Sequence, residues 1–425
     1  MIDDHPLRYA LANELHARPF PVIETPTTAV YLALANGGGA GGERAKERAH
    51  LIALLDRYGV DYPSPGATHY FGTLGRFHLK WEQHTEFVTY TIFSPGLSER
   101  DFDPAAFEVF PADWLAEAPG QRITSALIRI AERPDDVETN ASFGDWFVPE
   151  SLAVSSVLDD SAIVAGDFRI DPAGHMRIAV FVTNGTGNRR VGRVVQRLCE
   201  VETYKAMSML GLAHARDMGG RMTVLEKDLS RLVGEMADVA HDVAAEDTLQ
   251  GLLEIAAELE HLIGASSFRF GATGAYDALV TQRIQVLREE RFMGRQTFGE
   301  FMQRRFDPAM RTVKSTETRL QAMAERAIRA GDLLRTRVDV ERSAQNQALL
   351  ESMDRRADMQ LRLQKTVEGL SVVAISYYAV NLALYVLQPF AEPMGLSKLV
   401  LGALATPLVI LGVWLLVRSI RRSMD

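Results

Sequence analysis

The chain has 425 residues, of which 47% are apolar and 24% charged, and this excludes both a disordered segment and a disulfide scaffold. One cysteine, Cys199, excludes an intramolecular disulfide, a cysteine zinc cluster and a CxxC redox pair. A formal charge of −9 argues against general nucleic-acid binding, and Met1-Ile-Asp-Asp-His-Pro lacks the basic and apolar regions of a signal peptide, so the N-terminal bulk is expected in the cytoplasm.

Residues 1–185 read as a cytoplasmic α/β domain. Val30 to Leu34 is a short apolar strand, and Glu43 to Tyr58 a helix with Ala49, Ile52, Ala53 and Leu55 on its apolar side. Phe77, Leu79 and Trp81 alternate with Arg76, His78 and Lys80, and Val88, Tyr90 and Ile92 alternate with threonines. The turn Glu82 to Glu86 joins them into a hairpin with one buried face. A second hairpin pairs Ala162 to Ile170 with Met176 to Val182 around Asp171-Pro-Ala-Gly.

After Asn184-Gly-Thr-Gly the pattern becomes helical, with Val191, Val194, Val195, Leu198 and Val201 at helical spacing, and 186–367 reads as a stalk of long antiparallel helices. Gly219-Gly220, Gly264 to Ser267 and Gly271 to Gly274 read as breaks between helices, and Asp307-Pro308 as the start of the last one. From Pro308 to Gln388 no further proline occurs and the only glycines are Gly331 and Gly369. A single helix or a nearly continuous pair is expected there.

Residues 368–425 read as a transmembrane hairpin with a basic cytoplasmic tail. Gly369 to Gln388 is uncharged over 20 residues and Leu399 to Val417 over 19, each enough to cross a ~30 Å hydrocarbon layer at about 1.5 Å per residue. Arg355, Arg356, Arg362 and Lys365 precede the first span, and Arg418, Arg421 and Arg422 follow the second. The positive-inside rule therefore puts both ends in the cytoplasm, and the protein is expected to be a multi-pass inner-membrane protein. With Ser371 as heptad position a, the a and d residues of the first span are Ser371, Ala374, Tyr378, Asn381, Tyr385 and Gln388. Backwards the seam continues without charge through Ser343, Asn346, Leu350, Met353, Ala357, Gln360, Gln364 and Val367. An uncharged, wettable seam suits the inside of a parallel homo-oligomer, with Ser371, Tyr378, Asn381, Tyr385 and Gln388 either lining a pore or bonding across a packed helix interface. Self-association and membrane lipid are thus the expected partners, with no nucleic acid.

Other constellations carry less. Gly37-Gly-Gly39-Ala-Gly-Gly42 matches a phosphate-loop glycine pattern, but no Walker lysine or convincing acid follows, and a loop is expected. His5, Glu14 and His16 offer metal-ligand chemistry without a shared helix face, so a structural segment, with Arg8 and Arg18 pairing to acids, is expected. Arg193 and Arg197, one turn apart after Arg189 and Arg190, form a basic strip that reads as a solvated or salt-bridged face. His214, His241 and His261 stand isolated on helices. No nucleophile has a recognisable base, so the chain is not expected to be an enzyme, and no cofactor is implied.

The strings His5-Pro-Leu-Arg8, Asn13-Glu-Leu-His16-Ala-Arg18-Pro19 and Leu361-Arg-Leu-Gln-Lys-Thr-Val-Glu-Gly-Leu-Ser-Val-Val-Ala-Ile-Ser-Tyr-Tyr378 resemble the two ends of a bacterial family known only as domain of unknown function 3422, described as membrane-anchored. The order of an α+β cytoplasmic domain, long antiparallel helices, a C-terminal two-helix transmembrane hairpin and a basic tail also resembles the CorA-type divalent-cation transporters. That resemblance implies a CorA-like fold, a pentamer with the first span lining the pore, and a divalent cation as transported ion or regulator. It departs at the family's Gly-Met-Asn tripeptide, in whose place stand Tyr385-Val-Leu-Gln388, which puts ion selectivity in doubt. Glu392, in the outer loop, is the one carboxylate there able to attract cations, or else a solvated loop residue.

Overall fold

The computed structural model describes residues 3–14, 19–36, 43–237, 245–391 and 397–422. The chain forms two compact units, one of Met1–Val243 with Gln250–Ala330, the other of Ala244–Leu249 with Gly331–Asp425.

The first unit is built on one nine-stranded sheet. Its strands are β1 (Thr27–Ala35), β2 (His69–Leu74), β3 (Phe77–Gln83), β4 (Phe87–Pro95), β5 (Gln121–Glu132), β6 (Ala153–Val157), β7 (Ala162–Gly166), β8 (Met176–Val182) and β9 (Glu290–Arg291). They lie in the order β2-β3-β4-β1-β5-β8-β7-β6-β9. Every pairing is antiparallel except β5 with β8, where Ile128 stands opposite Ile178. A parallel pair needs a crossover. Here it runs through α4 (Asp136–Trp146), β6 and β7. Asp135 caps α4 by accepting from the Glu138 amide, and Asp136 and Glu138 add negative charge at its positive end.

On one face of the sheet Leu32, Leu34, Leu79, Trp81, Val88, Tyr90 and Ile92 join one core with Leu51, Leu54 and Leu55 of α2 (Glu43–Tyr58), Trp114 of α3 (Ala112–Ala116) and Phe143 of α4. Side chains alternate across a strand, so Tyr31, Lys80, Glu82, Thr89 and Thr91 point to the other face. That face is buried too, against α5 (Asn188–Ala237): the Tyr31 hydroxyl bonds Thr203, Lys80 Nζ donates to Gln196 Oε1 at 2.6 Å, and Thr124 Oγ1 donates to Glu202 at 3.0 Å. Two expectations need correction here. The β3–β4 hairpin is buried on both faces, because α5 covers the residues that alternate with the apolar ones. β1 runs nine residues, since Thr27, Thr28 and Ala35 pair with β4 although they are not part of the apolar run.

The expected breaks at Gly219-Gly220, Gly264 to Ser267 and Gly271 to Gly274 do not occur. α5 runs unbroken through the first, and α6 (Ala245–Gln285) through the other two. The glycines at those places face open space, while Met222, Leu225, Leu229, Leu259 and Phe270 around them are buried, so packing outweighs the helix cost of glycine. Gly192 has a different role: a Cβ there would sit 1.8 Å from the Pro21 carbonyl oxygen. Its lack of a side chain lets the segment around Pro21 cross α5, with the Ile23 amide donating to Asn188 O at 3.2 Å.

The short helix α7 (Phe298–Arg305) opens with a capping box between Thr297 and Glu300. α8 (Asp307–Ala391) starts at the expected Asp307 and is one helix of 85 residues that passes through Pro389. Its first turns bury Met310, Val313, Leu320 and Met323 in the first unit. In the second unit Leu334 and Val338 are buried, and every residue from 339 to 371 is exposed. α9 (Lys398–Arg422) completes the second unit. The architecture is a mixed α+β sheet domain, long helices and two apolar C-terminal helices of membrane-span length.

Candidate functional site: the apolar hairpin and a polar cleft

The end of α8 and α9 are long and apolar enough to cross a membrane, with mean hydropathy of 1.8 and 2.4 in their most apolar windows. Only 6% of either window is buried, unlike a core helix of a water-soluble protein, whose apolar residues are covered. On α8, Ser376 is buried and Val372, Ala379, Val380 and Ala383 are half-buried around it. On α9 the buried position is Ala405. At 100° per residue these α8 positions share one face.

The seam residues stand on roughly the opposite side. Ser371 is exposed, Tyr378 is 68% and Tyr385 77% exposed, and Asn381 and Gln388 are half-buried. The Asn381 amide donates to the Tyr377 carbonyl at 3.0 Å, so its nitrogen is held by its own helix and its carbonyl oxygen is the group it offers outward. Near the C-terminal end of α9 the Arg418 guanidinium lies 5.0 Å above the Trp414 ring, the pairing of aromatic and cation typical of a membrane–water boundary. Glu392 lies outside the described residues, as do Gly37–Gly42, His16, Arg18 and His241.

A second candidate lies in the first unit, between β3, β4 and α5. Lys80 is 5% exposed, with Nζ 3.0 Å from Glu82 Oε1, and Gln196 passes the network on to Glu200, which Arg283 of α6 also binds. Beside it Glu86 accepts from Tyr276 Oη at 2.8 Å and pairs with Arg269, and the Tyr276 ring stacks on Tyr204 with centroids 5.7 Å apart. Burial, then Glu86, pushes the Tyr276 phenol well above its usual range, and burial does the same to Cys199, which lines this region as an unreactive thiol. The network opens into a cavity of about 310 Å3 bordered by Phe20, His84, Arg197, Tyr204, Arg283 and Val286. The alternation of β3 displayed Lys80 in the sequence, but on a solvent face, and Glu82, which read as the start of the turn, lies within the strand. The signal for a covered face was the string of valines and leucines from Val191 to Val201, which must lie on something.

Of the basic strip, Arg189, Arg190 and Arg193 are exposed, as a solvated face requires, and Arg197 is half-buried. Arg193 lies over the Phe20 ring at 5.4 Å, and Arg197 donates to Val286 O at 2.9 Å. Among the described residues neither forms an ion pair. Arg8 pairs with Asp4, as expected of an N-terminal structural segment, and His5 Nδ1 accepts from the Leu7 amide. Among the described residues no three His, Cys, Asp or Glu side chains are grouped to hold a metal ion. His214 packs edge-on against Phe270.

The class the architecture defines is a mixed α+β sheet domain with long helices and two C-terminal apolar helices of membrane-span length. The chain belongs to the family described as "Protein of unknown function (DUF3422)", whose model matches residues 3–424, nearly its whole length. No curated protein and no solved structure matches it, so the likeness to CorA-type transporters gains no support from these comparisons.

Proposed function

We propose that the protein is an inner-membrane homo-oligomer in which the first spans gather about a rotation axis and line an ion path with Ser371, Tyr378, Asn381, Tyr385 and Gln388. The observation that carries this reading is that the hairpin's own covered face, centred on Ser376, is turned away from the seam, so a single chain leaves Ser371, Tyr378 and Tyr385 exposed and covers Asn381 and Gln388 only in part. The exposed run from 339 to 371 supports it, because a helix with no covered face gains its stability from a neighbour. Two spans per chain enclose no pathway alone, and copies arranged by rotation do. The arginines flanking the two spans favour cytoplasmic placement of both ends. The reading assigns no catalytic residue.

Thiols placed at Tyr378 and Tyr385 test the axis cleanly, since the one native cysteine, Cys199, is buried. In membranes, Tyr378→Cys and Tyr385→Cys chains are expected to cross-link to copies of themselves, and Ala383→Cys chains, on the face the hairpin itself covers, are not. Absence of seam cross-links refutes the assembly. With cross-links present, reconstituted vesicles are expected to pass ions and to lose flux in Asn381→Leu. Vesicles silent to monovalent cations, divalent cations and chloride would leave the second reading, a membrane-anchored scaffold or sensor, which the ligand-sized cleft of the first unit favours.

A further inference from the structure

The cavity beside α5 carries an uneven charge balance. Lys80, Arg283 and Arg288 are each matched by an acid, namely Glu82, Glu200 and Asp159. Arg193 and Arg197 are not: among the described residues they meet an aromatic face and a backbone carbonyl instead. Arg197 borders the cavity, and Arg193 stands one turn away at its aromatic edge, over Phe20. Partial burial, and then Arg193, Arg283 and Arg288 nearby, lowers the affinity of the Arg197 guanidinium for its proton, although Glu200 acts the other way. Glu82 and Glu200 also line the cavity, but they are engaged by Lys80 and Arg283. The guanidinium of Arg197 in the lining and that of exposed Arg193 just outside it are therefore the cations left without an acid of their own, the chemistry that recognition of an oxyanion uses. The volume, about 310 Å3, is at the small end of ligand pockets and fits a metabolite rather than a polymer. Phe20 and Tyr204 offer apolar surface for its carbon part.

We propose that this cavity binds a small oxyanion, a phosphorylated or polycarboxylate metabolite, through Arg193 and Arg197, with Phe20 as its aromatic edge. The site depends on Gly192, which lets the segment carrying Phe20 and Pro21 cross α5 beside the two arginines. It lies wholly in the first unit and stands whether or not the spans conduct.

The test follows thermal unfolding of the detergent-solubilised full chain by tryptophan fluorescence, titrating sodium pyrophosphate and, separately, citrate, with sodium chloride holding ionic strength constant. A saturable rise in melting temperature is expected with at least one of the two. Response to pyrophosphate alone identifies phosphate chemistry, and response to citrate alone identifies carboxylate chemistry. Arg197→Gln keeps a donor for Val286 O and relieves like-charge crowding, so it is expected to melt no lower than wild type without anion, yet to need about tenfold or more anion for half-saturation. Arg193→Gln, at the rim, is expected to weaken the response similarly and serves if the first variant misfolds. Arg221→Gln, whose residue pairs with Glu258 and does not border the cavity, is expected to respond as wild type. A melting temperature that follows ionic strength alone, or an anion response unchanged in both Arg193→Gln and Arg197→Gln, overturns the proposal.

Discussion

Replacing Lys80 by methionine isolates the cost of stranding a buried charge. The pair it breaks is 3.0 Å long, with side-chain exposures of 5% for Lys80 and 11% for Glu82, so water reaches neither end freely. Removing one partner of such a pair costs about 3–5 kcal/mol, chiefly the desolvation of the charge left behind, whereas replacing both by apolar groups of similar volume is often close to neutral. Lys80→Met also removes the donor to Gln196 Oε1, which adds to the loss. The double variant Lys80→Met/Glu82→Leu is therefore expected to recover most of the stability lost by the single one. Trp81 and Trp114 are fully buried in the sheet core, so urea unfolding followed by tryptophan emission reports on this part of the chain. A single variant within about 1 kcal/mol of wild type, or a double variant as unstable as the single, would refute the account of Lys80 as a buried, acid-matched cation.

Gly192→Ala is expected to cost about 1–3 kcal/mol and to free the segment near Pro21 to proteolysis, since the new methyl meets the Pro21 carbonyl at 1.8 Å; a digestion pattern identical to wild type would count against that crossing. Gly220→Ala, where a methyl enters open space on a continuous helix, is expected to raise the urea midpoint by an amount equivalent to about 0.5–1 kcal/mol. Burial holds the imidazoles of His50 and His175 below their usual 6.5, with Arg122 lowering His175 further. The unfolded chain therefore takes up protons around pH 6.5 that the native one refuses: the histidines' contribution is complete above that pH and shrinks as pH falls below it, by up to about 1.4 kcal/mol per pH unit for each. His50→Gln should roughly halve that acid sensitivity, as read from urea midpoints at pH 7.5, 6.5 and 5.5, and an unchanged slope would remove His50 from the explanation.

Elements with a strong local period were readable from the residues. The helix over Glu43–Tyr58 and the start of α8 at Asp307 fall where apolar spacing and Asp-Pro chemistry place them, and the two uncharged runs at the C-terminus are span-length helices. What was not readable depends on what lies opposite. Gln121–Glu132, a central strand of 12 residues, was missed because both its faces are covered and its pattern does not alternate cleanly. Lys80 and Thr91 read as wet because nothing in β3 or β4 announces the helix above them. The glycines at Gly219 and Gly264 read as breaks because propensity is local, while the buried side chains that keep those helices straight are not. The cleft was hidden for a similar reason: Arg197 and Arg283 are far apart in sequence, and only the packing of α5 against α6 places both on one cavity.

The stretch of α8 from 339 to 371 is exposed throughout, and beside one ion pair to α6, Arg342 with Glu246, its support is short-range pairs such as Arg355 with Glu351 and Gln364 with Glu368. Such pairs contribute only a few tenths of a kcal/mol each. Order in this stretch should therefore be concentration-dependent: dilution in detergent would speed amide exchange through these turns while the sheet stays protected, making subunit encounter and local folding a single equilibrium.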